Sequence, residues 1–195
     1  MTIALILAVL VGLQDKAPAS TKEATKQIQF LVGKWRVTIT PEGKEEGWQE
    51  MQEWQFKFNK EEWALEFAVT EGKKYKDGVL SYDLKKKLWR LDATKADGAK
   101  IAFEGPFKAK EMILEEVAAE GVAKERYSLS FLRDNRFLGS IEKRDAGSKT
   151  WLETYKVQYT KEGVPFVRSE GPKCVITGGA GTIEVAYGGK TYYVC

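Results

Sequence analysis

From Lys34 to Lys161 the dominant repeat in this chain has a period of two, and that period restricts the fold more than any other feature. Trp35, Val37 and Ile39 alternate with Arg36, Thr38 and Thr40. Trp54, Phe56 and Phe58 alternate with Gln55 and Lys57, and Trp63, Leu65, Phe67 and Val69 with Ala64, Glu66 and Ala68. The pattern returns at Trp89, Leu91 and Ala93, at Ile101 and Phe103, at Tyr127, Leu129 and Phe131, and at Trp151, Tyr155, Val157 and Tyr159. Successive side chains of a strand point to opposite faces, so each run reads as a strand with one buried face. Turn-forming stretches (PEGKEEG, EGKK, KADG, AEG, RDN and DAGSK) lie between the runs, without intervening helices. Such spacing predicts an all-β protein, and a count of about ten strands favours an antiparallel up-and-down barrel.

One helix is expected ahead of the barrel. Ser20 stands three residues before Glu23 in STKEATKQIQFLVG, the pattern of a capping box, and Gly33 is placed to end the helix. A hydrophobic fraction of 43% with six tryptophans is enough for a real core in 195 residues. The 31 basic and 28 acidic residues are interleaved, as in KEEWALEF and KAKEMILEE. A surface of that kind is simply solvated, so no nucleic-acid partner is expected.

Thr2 to Leu13, TIALILAVLVGL, is apolar but shorter than the roughly 20 residues of a membrane-spanning helix, so no stable membrane insertion is expected. Its length suits the apolar part of a secretory signal, and Ala17-Pro18-Ala19 supplies a small-residue cleavage site, although no Lys or Arg precedes the run. Residues 1–19 are therefore expected to be a signal peptide, with the mature protein secreted or periplasmic, where disulfides persist. The alternative is a buried first strand or helix.

The chain has no histidine. Ser–His and Cys–His nucleophile pairs, histidine-ligated haem and imidazole-based zinc sites are thereby removed. No catalytic residues are expected, and the chain reads as a non-enzyme.

FLVGKWRVTI, residues 30–39, resembles the opening of lipocalin-like barrels, in which a short helix leads into Gly-x-Trp and the first strand. Here that motif is Gly33-Lys34-Trp35. The resemblance covers roughly residues 28–160 and is nearest to the ten-stranded nitrobindin-like and fatty-acid-binding-like barrels and to a bacterial lipocalin-like family. It implies that Trp35 closes one end of the barrel and that the interior serves a small apolar ligand. The Thr-Asp-Tyr motif of the secreted lipocalins is missing, and without histidine the haem of nitrobindins does not carry over, so no haem is expected. Candidate ligand-binding residues on the apolar strand faces are Trp35, Trp54, Trp63, Trp89, Phe131, Trp151 and Tyr155. They either line a cavity or fill the barrel solid, and sequence alone leaves both open.

After the barrel domain, residues 20–163, a linker is expected over 164–172, with Pro165 and Pro172 marking irregular backbone. In 173–195 the run Ile183, Val185, Tyr187 precedes Gly188-Gly189 and KTYYVC, the pattern of a β-hairpin with Cys174 ahead of it and Cys195 behind. EVAYGGKTYYVC resembles the first part of YHS-type or TRASH-type metal-binding modules, which implies Cys174 and Cys195 as thiolate ligands. Thr177 stands where many such modules have another Cys. Structural zinc takes four N or S ligands, and this chain has two sulfurs and no imidazole. The expectation is a natural chain that continues past Cys195 to further ligands for zinc, or for copper, which accepts two thiolates as Cu(I). The alternative is a disulfide between Cys174 and Cys195, whose loop of about 20 residues would stabilise by roughly 3 kcal/mol.

The functional expectation is thus an exported, non-enzymatic binding protein: a barrel for a small apolar ligand joined to a thiolate metal module. The alternative is a structural or interaction protein with a solid barrel and a Cys174–Cys195 disulfide. Oligomeric state is not readable from the sequence.

Overall fold

The structure is a computed structural model and describes residues 17–59, 62–118, 124–145, 147–163, 183–187 and 190–194. Chain contacts divide it into two units, Met1–Glu162 and Gly163–Cys195. The apolar run Thr2–Leu13, the linker 164–172 and both cysteines lie outside the described residues.

Helix α1, Thr21–Gln27, starts where the capping pattern places it. Ser20 is extended and its Oγ accepts from the Glu23 amide at 3.1 Å, while Glu23 Oε2 reaches back to the Ala19 amide at 2.8 Å. Gly33 does not end it. The helix stops at Gln27, a 3-10 turn covers Gln29–Leu31, and Gly33 opens the first strand at φ 124°, a conformation that only glycine adopts without strain. Ala24, Ile28 and Leu31 are buried, and Thr21 and Thr25 tie the helix to Trp63 through hydrogen bonds of 3.0 and 3.2 Å.

The first unit is a closed antiparallel barrel. Its strands are β1 (Gly33–Pro41), β2 (Trp48–Asn59), β3 (Glu62–Thr70), β4 (Tyr75–Asp83), β5 (Leu88–Lys95), β6 (Lys100–Gly105), β7 (Phe107–Lys108), β8 (Glu111–Glu116), β9 (Glu125–Arg133), β10 (Arg136–Lys143) and β11 (Leu152–Lys161). Ten strands form the wall in sequence order, and the two-residue β7 is an extra piece beyond Pro106 that pairs with the start of β8. Two pairings close the ring. β1 pairs with β11 from Trp35↔Lys161 to Pro41↔Tyr155, and β6 meets β8 at Phe103↔Glu116 and Glu104↔Glu115. An up-and-down ring leaves few exposed strand edges.

The end of the ring beside α1 is dry and aromatic. Trp35 is fully buried, its Nε1 donates to the Leu31 carbonyl at 2.6 Å, and the Lys161 ammonium lies 5.4 Å from its ring while donating to the Phe30 carbonyl. Phe137 meets Trp35 edge-on at 4.7 Å and stacks on Tyr159 at 4.0 Å; Phe131 packs between Phe30 and Phe107. Aromatic pairs in these geometries add about 0.5–1.5 kcal/mol each beyond their buried area. Trp35 is fully buried at this end of the barrel.

The second unit, described by itself, contains a β-hairpin of β12 (Ile183–Tyr187) and β13 (Lys190–Val194), paired from Ile183↔Val194 to Tyr187↔Lys190.

Candidate functional site

The other end of the barrel interior mixes polar side chains with the buried Val37, Ile39, Ile141 and Val157, and the strand period explains how the polar ones come to be there. β2 begins at Trp48, six residues before the aromatic run legible in the sequence. Its inward parity, set by Trp54, carries Gln52 and Glu50 into the interior, where they are only 6% and 5% exposed. Gln52 Nε2 donates to Glu50 Oε1 at 3.3 Å and Trp48 Nε1 donates to Glu50 Oε2 at 3.4 Å. Both donors are neutral. From β9 and β11, the hydroxyls of Tyr127 and Tyr159 bond to each other. Burial is the main cause that holds both phenols above their ordinary range; the bond to Tyr159 partly offsets it at Tyr127, the Tyr127 neighbour adds to it at Tyr159, and the Glu50 charge adds a smaller part at both, so both stay protonated.

Nearer the end opposite α1, Glu125 at the start of β9 accepts from the Tyr75 hydroxyl at 2.5 Å and from the Lys74 ammonium at 3.3 Å. Burial raises the Tyr75 phenol strongly, and the Glu125 charge adds to that. Burial also lowers Lys74, and Glu125 only partly offsets it. The Lys74 ammonium lies 4.9 Å from the Tyr155 ring and that of Lys73 lies 5.5 Å from the Trp48 ring; Trp48 and Tyr155 meet edge-on at 5.7 Å.

Within the interior lies a cavity of about 30 Å³ whose lining includes Gln52, Trp54, Tyr75, Tyr127 and Tyr159 together with the apolar Leu91, Met112 and Leu129. That is room for about one or two waters. Trp54 is 7% exposed, yet its Nε1 is buried with no hydrogen-bond partner. A larger open groove of about 930 Å³ runs along the outside of β2 to β6. Many of its charged side chains are already joined to neighbours, as in Lys57–Glu66 at 3.0 Å and Arg90–Glu104 at 2.7 Å. The interior is therefore the stronger site.

The seven aromatic residues singled out from the sequence separate. Trp54 lines the cavity, and Tyr155 stands at the polar end. Trp35, Trp89 and Phe131 belong to the dry end, with Trp89 edge-on to Tyr82 at 5.3 Å. Trp63 meets Phe56 and Phe58 edge-on at the tip of the β2–β3 hairpin, beneath the Lys22 ammonium. Trp151 precedes β11 and is sandwiched between the guanidinium groups of Arg126 and Arg144, at 4.7 and 4.4 Å. Glu50, Gln52, Lys74, Tyr75 and Glu125 were not singled out. Two steps back along β2 from Trp54 would have reached the first two.

Cys174 and Cys195 lie outside the described residues, so the thiolate site has no geometry to describe. Among the described residues no group of three or more His, Cys, Asp or Glu side chains could hold a metal, and no helix is long and apolar enough to cross a membrane. Two sulfurs and no imidazole in the chain fall short of a four-ligand zinc site. In comparisons with known proteins, the chain matches no family model and no curated protein.

Proposed function

We propose that this chain is an exported, non-enzymatic binding protein with a lipocalin-like barrel that takes a small, largely apolar ligand into its interior. The observation that supports the reading is the set of polar side chains buried inside the barrel away from the α1 end. A barrel filled for stability alone gains nothing from burying Glu50, Gln52 and Glu125, because buried polar groups cost free energy unless fully paired. The arrangement suits a ligand with an apolar body against Leu91, Met112 and Leu129 and a polar group toward Trp54 and Gln52. Titrating the full chain with a neutral apolar fluorophore tests this: saturable uptake at one site per barrel, with quenching of tryptophan emission, is the expected result.

The cavity volume of about 30 Å³ favours a second reading, a structural or interaction protein whose barrel is filled by its own side chains. No uptake of any apolar fluorophore would select it.

The C-terminal unit is proposed, on its sequence resemblance, as a thiolate metal module. Metal content measured under reducing conditions, with and without Cys174→Ser, separates it from a Cys174–Cys195 disulfide, which would instead appear as a loss of two mass units on oxidation.

A further inference from the structure

Trp54 is the point at which the interior has a donor and no acceptor. Its indole is more than nine-tenths buried, it lines the cavity, and Nε1 is buried without a hydrogen-bond partner. Leaving such a donor unpaired beside a cavity with room for about one or two waters is unfavourable, so the site favours an occupant of that size, or the tip of a larger one, that brings an acceptor. The charge around it determines which acceptor. Glu50 is buried in the same barrel interior, and the hydrogen bonds it receives come from the neutral Gln52 and Trp48. Its negative charge is felt at Tyr127 and Tyr159, which line the cavity. Of the lysines at this end, Lys74 is already bound to Glu125 and Lys73 lies over the Trp48 ring. An anionic ligand group in this low-dielectric space would lie one hydrogen bond away, through Gln52, from the Glu50 carboxylate, where repulsion between like charges is poorly screened.

We propose that Trp54 Nε1 is the polar anchor of the barrel's ligand, that the ligand presents to it an uncharged oxygen acceptor such as a ketone, ester or amide carbonyl, and that carboxylates are excluded by Glu50. This inference rests on the binding reading above and narrows it to neutral carbonyl compounds.

Acetone and acetate test it as a pair of nearly equal size that differ in charge. The full chain, labelled with nitrogen-15, is titrated with each at constant ionic strength and pH 7, and the sequentially assigned Trp54 indole N–H resonance is followed. Acetone is expected to move that resonance saturably, with acetate at least ten-fold weaker, and Glu50→Gln to narrow the difference to less than three-fold. The wild-type comparison decides the matter even if that variant does not fold. A saturable response to acetate as strong as that to acetone overturns the exclusion of anions and leaves the binding reading standing. A resonance unmoved by either probe, in a chain that still takes up the apolar fluorophore, overturns the anchor alone. A resonance unmoved by either probe and no fluorophore uptake overturn both.

Discussion

The indole of Trp35 donates to a carbonyl 2.6 Å away, and the whole residue is buried. Replacing it with Phe removes the donor, leaves the Leu31 carbonyl without that partner, and opens a void among Phe137 and its neighbours. Each effect is destabilising, and together they are expected to cost about 2–4 kcal/mol. The urea midpoint of Trp35→Phe should fall with the slope unchanged. Glu142 gives a residue-scale expectation with a pH sign. Burial by itself would raise its carboxyl, but hydrogen bonds from Ser140 at 2.8 Å, Arg126 at 3.0 Å and Ser128 at 3.1 Å hold it below the usual value of 4.5. A carboxyl lowered on folding stabilises the protein above its unfolded pKa, and that contribution is lost as the pH falls through the folded value. Wild type should therefore lose this site's contribution as the pH falls below about 4.5. Glu142→Gln should be less stable at pH 7 and lack that part of the acid dependence, as read from urea midpoints of both proteins between pH 3 and 7.

At the scale of elements, closure of the ring depends on a bend. β6 ends at Gly105 and, past Pro106, the short β7 sets off to pair with β8. A Cβ at Gly105 would come within 1.8 Å of the Ile113 carbonyl oxygen, which is backbone and cannot rotate away. Gly105→Ala is therefore expected to push β6 and β8 apart and to cost about 3 kcal/mol, at the upper end of overpacking effects. Thermal melting checks the cost, and hydrogen exchange of β6 and β8 amides shows where it falls. The same elements show what the sequence could reveal. Strands whose inward positions are all large and apolar, such as β1 and β3, were legible from alternation. β4 was not, because a register shift between Tyr75 and Asp77 breaks its parity and Gly78 contributes no side chain inward. β8 hid behind the outward Ile113, which joins Met112 and Leu114 in an unbroken apolar triplet. The site was obscured for a related reason: Glu50 and Gln52 follow the correct parity but are polar, so the strand was read as beginning at Trp54. Trp151 misled in the opposite direction. Aromatic spacing cannot distinguish a ring facing the interior from one held between two arginines outside it.

For the barrel as a whole, the polar end is tied across its opening rather than around its wall. β4 and β9 are separated by β5, β6 and β8 on one side of the ring and by five strands on the other, yet Tyr75 and Lys74 both reach Glu125. The turn before β4 is thus fastened to the far side of the barrel, with Lys74 also over Tyr155 and Lys73 over Trp48. On its near side the Lys74 carbonyl accepts from the Ala96 amide at 2.9 Å, a bond that does not involve Glu125. Glu125→Ala should therefore free one edge of the turn without unfolding the wall. Breaking a buried pair by removing one member is strongly destabilising, because the lysine is left buried without its counter-charge. Here part of that cost can be relieved locally, by Lys74 swinging out to water. Amides of residues 73–76 should exchange on the order of 10- to 100-fold faster in Glu125→Ala, equivalent to about 1.4–2.8 kcal/mol of local opening. Amides of β1 and β11, which pair along the ring, should change far less. Unchanged exchange at 73–76 would mean that the bonds to Ala96 and the lysine–aromatic contacts hold the turn by themselves. A faster rate there, accompanied by faster uptake of the apolar fluorophore at equal affinity, would identify this turn as the route by which a ligand reaches Trp54.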